Sequence, residues 1–266
     1  MGFVPPLQAL EKSLEYTRKA NEIDSTISVA HSTLGSISMI FYGDLEKAEK
    51  EFKRSIELNP NAGWDRFFYS QYLRFTRHFD EAIAEAQIAI EQDPFNIYIS
   101  SQVGVTYMFA GRIDEAIEKQ KWTISIYPSG FMAHQHLGEA LQFKSLYDEA
   151  VEAYEKAVHL SGGNTIAISR LACAYQKTGR ISEGEKLIED LKQRMGSEYV
   201  PASIFVPYYS LGQDNDPAYQ WLEKACNDRD PILALYIIPY GNLYPIPEES
   251  RFTNFLEKVG LNQFQN

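Results

Sequence analysis

Three stretches, Asp80-Glu81-Ala82-Ile83, Asp114-Glu115-Ala116-Ile117 and Asp148-Glu149-Ala150-Val151, begin 34 residues apart in a chain of 266. Ala48 continues the series one step upstream, and Pro60, Pro94 and Pro128 each follow their alanine by 12 positions. A fixed period of this length means a stack of like units, because one such unit cannot bury its apolar face alone. The functional question then moves from catalysis to binding surfaces.

Each period reads as two amphipathic helices. In the third unit one helical pattern runs from Ile97 to Ala110, a break follows at Gly111-Arg112, and a second helix runs from Asp114 to Tyr127. Asp114 is expected to cap that helix, and Glu115 adds negative charge beside its positive terminus. Pro128 disfavours helical geometry in the residue before it and so stops the helix. Asn59-Pro60 and Asp93-Pro94 end their helices in the same way.

Other slots recur relative to the turn alanine. Twelve residues before it stands Ser70, Gly104 or Gly138, and Ala172 counted from Gly184. A small side chain there lets the two helices of a unit approach closely. Nine before it comes Leu73, Tyr107, Leu141 or Tyr175, and seven after it Ala89, Thr123, Ala157 or Leu191. Large slots opposite small ones are what interdigitated helix packing needs.

The set Leu137-Gly138, Leu141, Ala150, Tyr154, Ala157 resembles the tetratricopeptide repeat (TPR), and so does Val103-Gly104, Tyr107, Gly111, Ala116, Pro128. The resemblance implies an all-α fold, a right-handed α-α superhelix or TPR solenoid of about five to six helix-turn-helix repeats. Residues 28–196 divide into five repeats, the first one residue longer at Tyr42-Gly43-Asp44, and 197–227 into a degenerate sixth with Tyr208, Gly212, Ala218, Leu222 and Ala225. Residues 1–27 fit only the second helix of a repeat, with Ser13 in the turn slot and Thr17 and Ala20 in the packing slots. A half-repeat exposes an apolar face that something upstream should cover, so the chain is expected to be a fragment of a longer protein; the alternative is that Phe3-Val4-Pro5-Pro6 and the lone helix form a natural cap. Residues 228–266 are expected to form a C-terminal cap that ends in a helix from Glu248 to Val259. The ending Trp221-Leu222-Glu223-Lys224-Ala225, Arg251-Phe252 and Phe255-Leu256 resembles TPR regions C-terminal to bacterial winged-helix regulators, nucleotide cyclases and serine/threonine kinases.

Bulk properties narrow the partners. A net charge of −11 repels phosphate backbones and anionic membranes, which argues against nucleic-acid and membrane partners. Two cysteines, Cys173 and Cys226, lack paired spacing and read as reduced thiols of a cytoplasmic protein. No stretch approaches the ~20 apolar residues needed to span a bilayer. Nucleophile, phosphate-loop and zinc motifs do not occur, so the chain reads as no enzyme, with no cofactor and no metal. His134 and His136 lie two apart, on different faces of a helix, and cannot easily grip one ion. His134 and His31 share a slot where TPRs commonly place a packing aromatic.

In a TPR stack the first helices line the concave surface, with inward slots 18, 15, 11, 8 and 7 residues before the turn alanine. Repeat two places Trp64, Phe67, Gln71, Arg74 and Phe75 there; repeat three, Tyr98, Ser101, Val105, Met108 and Phe109; repeat four, Met132, Gln135, Glu139, Gln142 and Phe143. Phe75, Phe109 and Phe143 form a ladder, which either meets a ligand or packs between neighbouring first helices. Such a wall suits a peptide with apolar anchors. Each anchor contributes roughly 1.5–3 kcal/mol against an association cost of ~4–15 kcal/mol, which places affinity nearer micromolar than nanomolar. The clamp that grips chaperone C-terminal carboxylates is not supported, because Ser32/Ser36, Phe67/Gln71 and Ser101/Val105 stand in its slots. The expected function is a protein-protein interaction scaffold. Its alternative is a regulatory or self-association segment of a larger bacterial signalling enzyme or transcription regulator, with an upstream domain or a second copy as partner.

Overall fold

The computed structural model describes residues 6–212, 215–228, 230, 232 and 233. The capping helix expected at Glu248–Val259 lies outside them. The described residues form α-helices and one 3-10 turn, with no strand among them. A lone helix, α1 (Pro6–Ile23), precedes five helix pairs: α2 (Ser28–Tyr42) with α3 (Leu45–Leu58), α4 (Gly63–Phe75) with α5 (Phe79–Gln92), and α6 (Ile97–Phe109) with α7 (Ile113–Ile126). Then come α8 (Phe131–Phe143) with α9 (Tyr147–Ser161) and α10 (Thr165–Lys177) with α11 (Ile181–Arg194). The sixth pair is the short α12 (Val206–Ser210) with α13 (Asp216–Asn227). The chain forms two compact units, one within Leu7–Pro128 and one within Ser129–Asn266.

The turn inside each pair explains the beat. Gly43, Arg77, Gly111, Ser145 and Gly179 all have positive φ and all stand five positions before the turn residue. That left-handed residue reverses the chain, and the second helix starts two positions later. Asp114 is therefore not the N-cap expected from sequence: like Asp80 and Asp148, it is the second residue of its helix. The cap positions are His78, Arg112 and Leu146, none with a side-chain cap bond. The acid pairs instead place negative charge in the first turn, against the positive helix end. Asp44 in the first pair does cap, accepting from Lys47 N at 3.0 Å. The extra residue of repeat one is absorbed in the last turn of α2, where Gly43 N–H and Asp44 N–H both reach back to the Ser38 carbonyl.

The small slot works as its size suggests. A Cβ added to Gly35 would meet the Phe52 ring at 2.9 Å, and one on Gly138 the Tyr154 ring at 2.7 Å. In both cases the large partner sits four residues after the turn alanine and is fully buried. Repeats are tied to their neighbours by side chains. Gln87 Nε2 donates to Tyr107 Oη at 2.8 Å, and Tyr175 Oη to Glu155 Oε1 at 2.8 Å, in the same two slots of successive repeats. Gln92 Nε2 donates to the Pro60 carbonyl at 2.9 Å, and Tyr127 Oη to the Phe95 carbonyl at 3.1 Å.

In the N-terminal unit α4 packs on both α2 and α6, and in the C-terminal unit α10 packs on both α8 and α12. First helices thus touch across repeats, and the core lies between them and their second-helix partners. The sixth pair is degenerate because Pro207 cannot donate to the Ser203 carbonyl four residues back. Residues Ala202–Phe205 close as a 3-10 turn instead, with Val206 N–H on Ser203 O. Asp230 holds this turn, accepting from Ser203 Oγ at 2.6 Å and Ser203 N at 3.0 Å. Phe205 stacks on Trp221 with ring centroids 4.1 Å apart.

Candidate functional site

The inward slots of the N-terminal unit carry a packed aromatic group at the start of α4 and α6. Phe67 is buried, against Ala89 and Ile99. Trp64 and Tyr98 stack beside it with centroids 5.7 Å apart and planes 27° from parallel, and both meet Phe67 edge to face. Pairs of this geometry add about 0.5–1.5 kcal/mol beyond their buried area. Trp64 nevertheless remains 42% exposed. The result is an apolar surface held rigid by its own core.

Further along the same helices the Arg74 guanidinium carbon lies 4.9 Å from the Phe109 ring centroid, and its Nη2 donates to Gln71 Oε1 at 2.9 Å. Arg74, Phe75 and Met108 are buried, while Gln71 and Phe109 are half-buried. Cation and ring lean on one another across the repeat boundary. Of the ten inward residues expected here, then, Phe67, Arg74, Phe75, Ser101, Val105 and Met108 form the wall, and Trp64, Gln71, Tyr98 and Phe109 keep surface open to a ligand.

The C-terminal unit is different. Glu139 is fully buried, yet it is surrounded by donors: Gln135 Nε2 at 3.3 Å, Arg170 Nε at 3.3 Å, and His136, whose Nδ1 lies 2.9 Å from Oε2. Gln142 accepts from Tyr154 Oη at 2.8 Å. A buried carboxylate needs such company, since removing it from water unpaired costs several kcal/mol. Gln135, Glu139 and Gln142, expected from their slots on the inward wall, are buried and hydrogen-bonded inside this unit. Met132 and Phe143 are half-buried. Slot position identified Gln135, Glu139 and Gln142; that His136, Tyr154 and, from the next repeat, Arg170 join them could not be seen without the fold.

His31 is not a packing aromatic. Its Nδ1 lies 2.7 Å from Glu51 Oε2 and its Nε2 3.1 Å from the Ser25 carbonyl. His31 and Glu51 also line an open pocket of about 450 Å³ with Lys50, Lys53, Arg54 and Glu57, and Leu14, Thr17, Arg18, Asn21, Glu22 and Leu34 line one of about 370 Å³. Neither pocket was visible in the repeat pattern. Among the described residues no group of three or more His, Cys, Asp or Glu side chains could hold a metal ion. No described helix is long and apolar enough to cross a membrane.

Residues 30–62 and 133–164, within the first and fourth repeats, match the tetratricopeptide repeat family. No curated protein matches the sequence. Among solved structures, the APC/C hetero-tetramer Cut9-Hcn1 is similar at 16% identity, over 94% of this chain and 46% of that one, with a TM-score of 0.61. PilW, a widely conserved type IV pilus biogenesis factor, is similar at 13% identity over 86% of this chain and 98% of its own, with a TM-score of 0.58. PilF of Pseudomonas aeruginosa is similar at 17% identity over 87% and 97%, with a TM-score of 0.54. At these identities the likeness is one of fold: an all-α stack of TPR helix pairs.

Proposed function

We propose that this chain is a non-catalytic protein-protein interaction scaffold that takes a peptide or protein segment on the first-helix side of its repeats. The observation that carries the reading is Trp64, a large indole left 42% exposed although it is clamped by Tyr98 and Phe67. A rigid, partly exposed aromatic loses little conformational entropy on binding, which is why such residues dominate interface energetics. Gln71, two turns further along α4, offers hydrogen-bonding groups at the edge of the apolar surface, and Tyr98 and Phe109 extend the surface along α6. The TPR fold supports the same class of function, since a helix-pair stack presents repeated first-helix faces to one partner.

Site-specific photo-crosslinking tests this. A photoreactive residue at position 64 or 98, introduced in the native cell, should give adducts with one protein species, and the purified pair should lose affinity at least about tenfold when Trp64 is replaced by Ala. Adducts only with a second copy of the chain, or unchanged affinity in Trp64→Ala, would sink the reading and leave the self-association alternative.

A further inference from the structure

In the first two repeats a base of the first helix meets an acid three residues after the turn alanine. His31 faces Glu51, and Arg66 Nη1 lies 2.7 Å from Glu85 Oε2. The third repeat breaks this rule on both sides. Ser100 takes the basic slot and bonds Thr123 Oγ1 at 2.9 Å, while Lys119 takes the acidic slot. The carboxylate one turn back, Glu115, is engaged by Arg112. Lys119 is half-buried and makes no ion pair with any described residue; its Nζ sits 4.1 Å from the centroid of the Trp122 ring. Loss of water holds its pKa below the ordinary lysine value.

The surroundings are open and apolar. Trp122 is 46% exposed and Ile126, one turn further along the same face of α7, is 51% exposed. Tyr127 ties down the loop carrying Phe95, which is 82% exposed. An ammonium withdrawn from water without a counter-ion is unfavourable in the isolated chain and becomes favourable once a carboxylate arrives. In a chain of net charge −11 this places a positive charge beside an exposed indole.

We propose that the outer face of α7, centred on Lys119, Trp122 and Ile126, is a second docking surface, for an acidic segment of a protein partner that also carries apolar side chains. The partner's carboxylate meets the Lys119 ammonium, and an adjacent apolar side chain covers Trp122 and Ile126. This surface belongs to a second helix and uses none of the inward slots, so it stands or falls independently of the first-helix site.

The test uses the whole chain labelled with 5-fluorotryptophan, whose three fluorine resonances report Trp64, Trp122 and Trp221 separately. The probe is the peptide acetyl-Glu-Leu-Glu-Asp-Leu-Phe-amide, compared with its Gln/Asn counterpart. The acidic peptide should shift the Trp122 resonance, and its neutral counterpart should need at least about tenfold more for the same shift at low salt. Lys119→Gln should abolish that preference without unfolding the chain. Equal binding of the two peptides, a preference that survives Lys119→Gln, or a response at Trp64 instead would overturn the proposal. So would a concentration-dependent dimer in sedimentation that Trp122→Ala abolishes, since the occupant would then be a second copy.

Discussion

Gly138 lies against the face of Tyr154: a Cβ at position 138 would stand 2.7 Å from Tyr154 Cε1. The ring cannot easily retreat, because it is fully buried and its hydroxyl donates to Gln142 Oε1 at 2.8 Å. Gly138→Ala should therefore destabilise the chain by about 1–3 kcal/mol, the usual cost of overpacking. Tyr154→Phe should cost about 1 kcal/mol for the lost hydrogen bond. Urea denaturation of the variants measures both.

Ser145 occupies a left-handed conformation, φ 59°, at the slot where Gly111 and Gly179 stand in neighbouring repeats. A non-glycine residue there costs roughly 1–2 kcal/mol in backbone strain. Ser145→Gly should raise the melting temperature, offset in part by extra freedom in the unfolded chain. Gly111→Ala should lower it, although nothing lies within 4 Å of the added methyl. Opposite signs at equivalent positions would tie both effects to the backbone.

Glu139 and Arg170 are both buried, so removing one strands the other. Glu139→Ala should cost about 3–5 kcal/mol, while replacing both by apolar residues of similar volume should cost much less. A double-mutant cycle in denaturant reads the difference. Simple additivity of the two single effects would count against a coupled pair.

Lys119→Met should stabilise the protein at neutral pH, because it replaces a desolvated cation by an apolar chain against Trp122. The sign follows from linkage. A base whose folded pKa lies below its unfolded value of 10.5 contributes stability above that value and loses it as pH falls through the folded pKa. The advantage of the methionine variant should thus be largest at neutral pH and shrink as pH rises towards 10.5. A difference that is flat between pH 7 and 10.5 would show that the ammonium carries no desolvation penalty.

Burial pushes the Cys173 thiol up to about 12, whereas Cys226 is only partly buried. The thiolate is the reactive form, so Cys173 should be inert to a thiol reagent at pH 8 in the native protein. Cys226 should react first, and Cys173 only after denaturant is added. Peptide mapping after timed alkylation distinguishes them.

The repeat, its helix pairs, the small slot at Gly138 and the break at Gly111 were all legible in the order of the residues. They depend on helix geometry and turn chemistry, which act over a few positions and repeat every 34. The capping role expected of Asp114 was misplaced by one residue or two, because a left-handed turn residue, glycine or not, sets where the next helix begins. The inward slots were located by spacing, but spacing could not say which of them stay open. That Trp64 keeps solvent exposure while Phe67 has almost none, and that Glu139 is bound to Arg170 from the following repeat, depends on side chains brought together from other repeats. Burial and electrostatics are properties of three-dimensional neighbourhoods. So it is with Lys119: the sequence by itself determined that a lysine replaces the acid of earlier repeats, and only the tertiary structure decided that it is left half-buried on an exposed indole, without a carboxylate among the described residues.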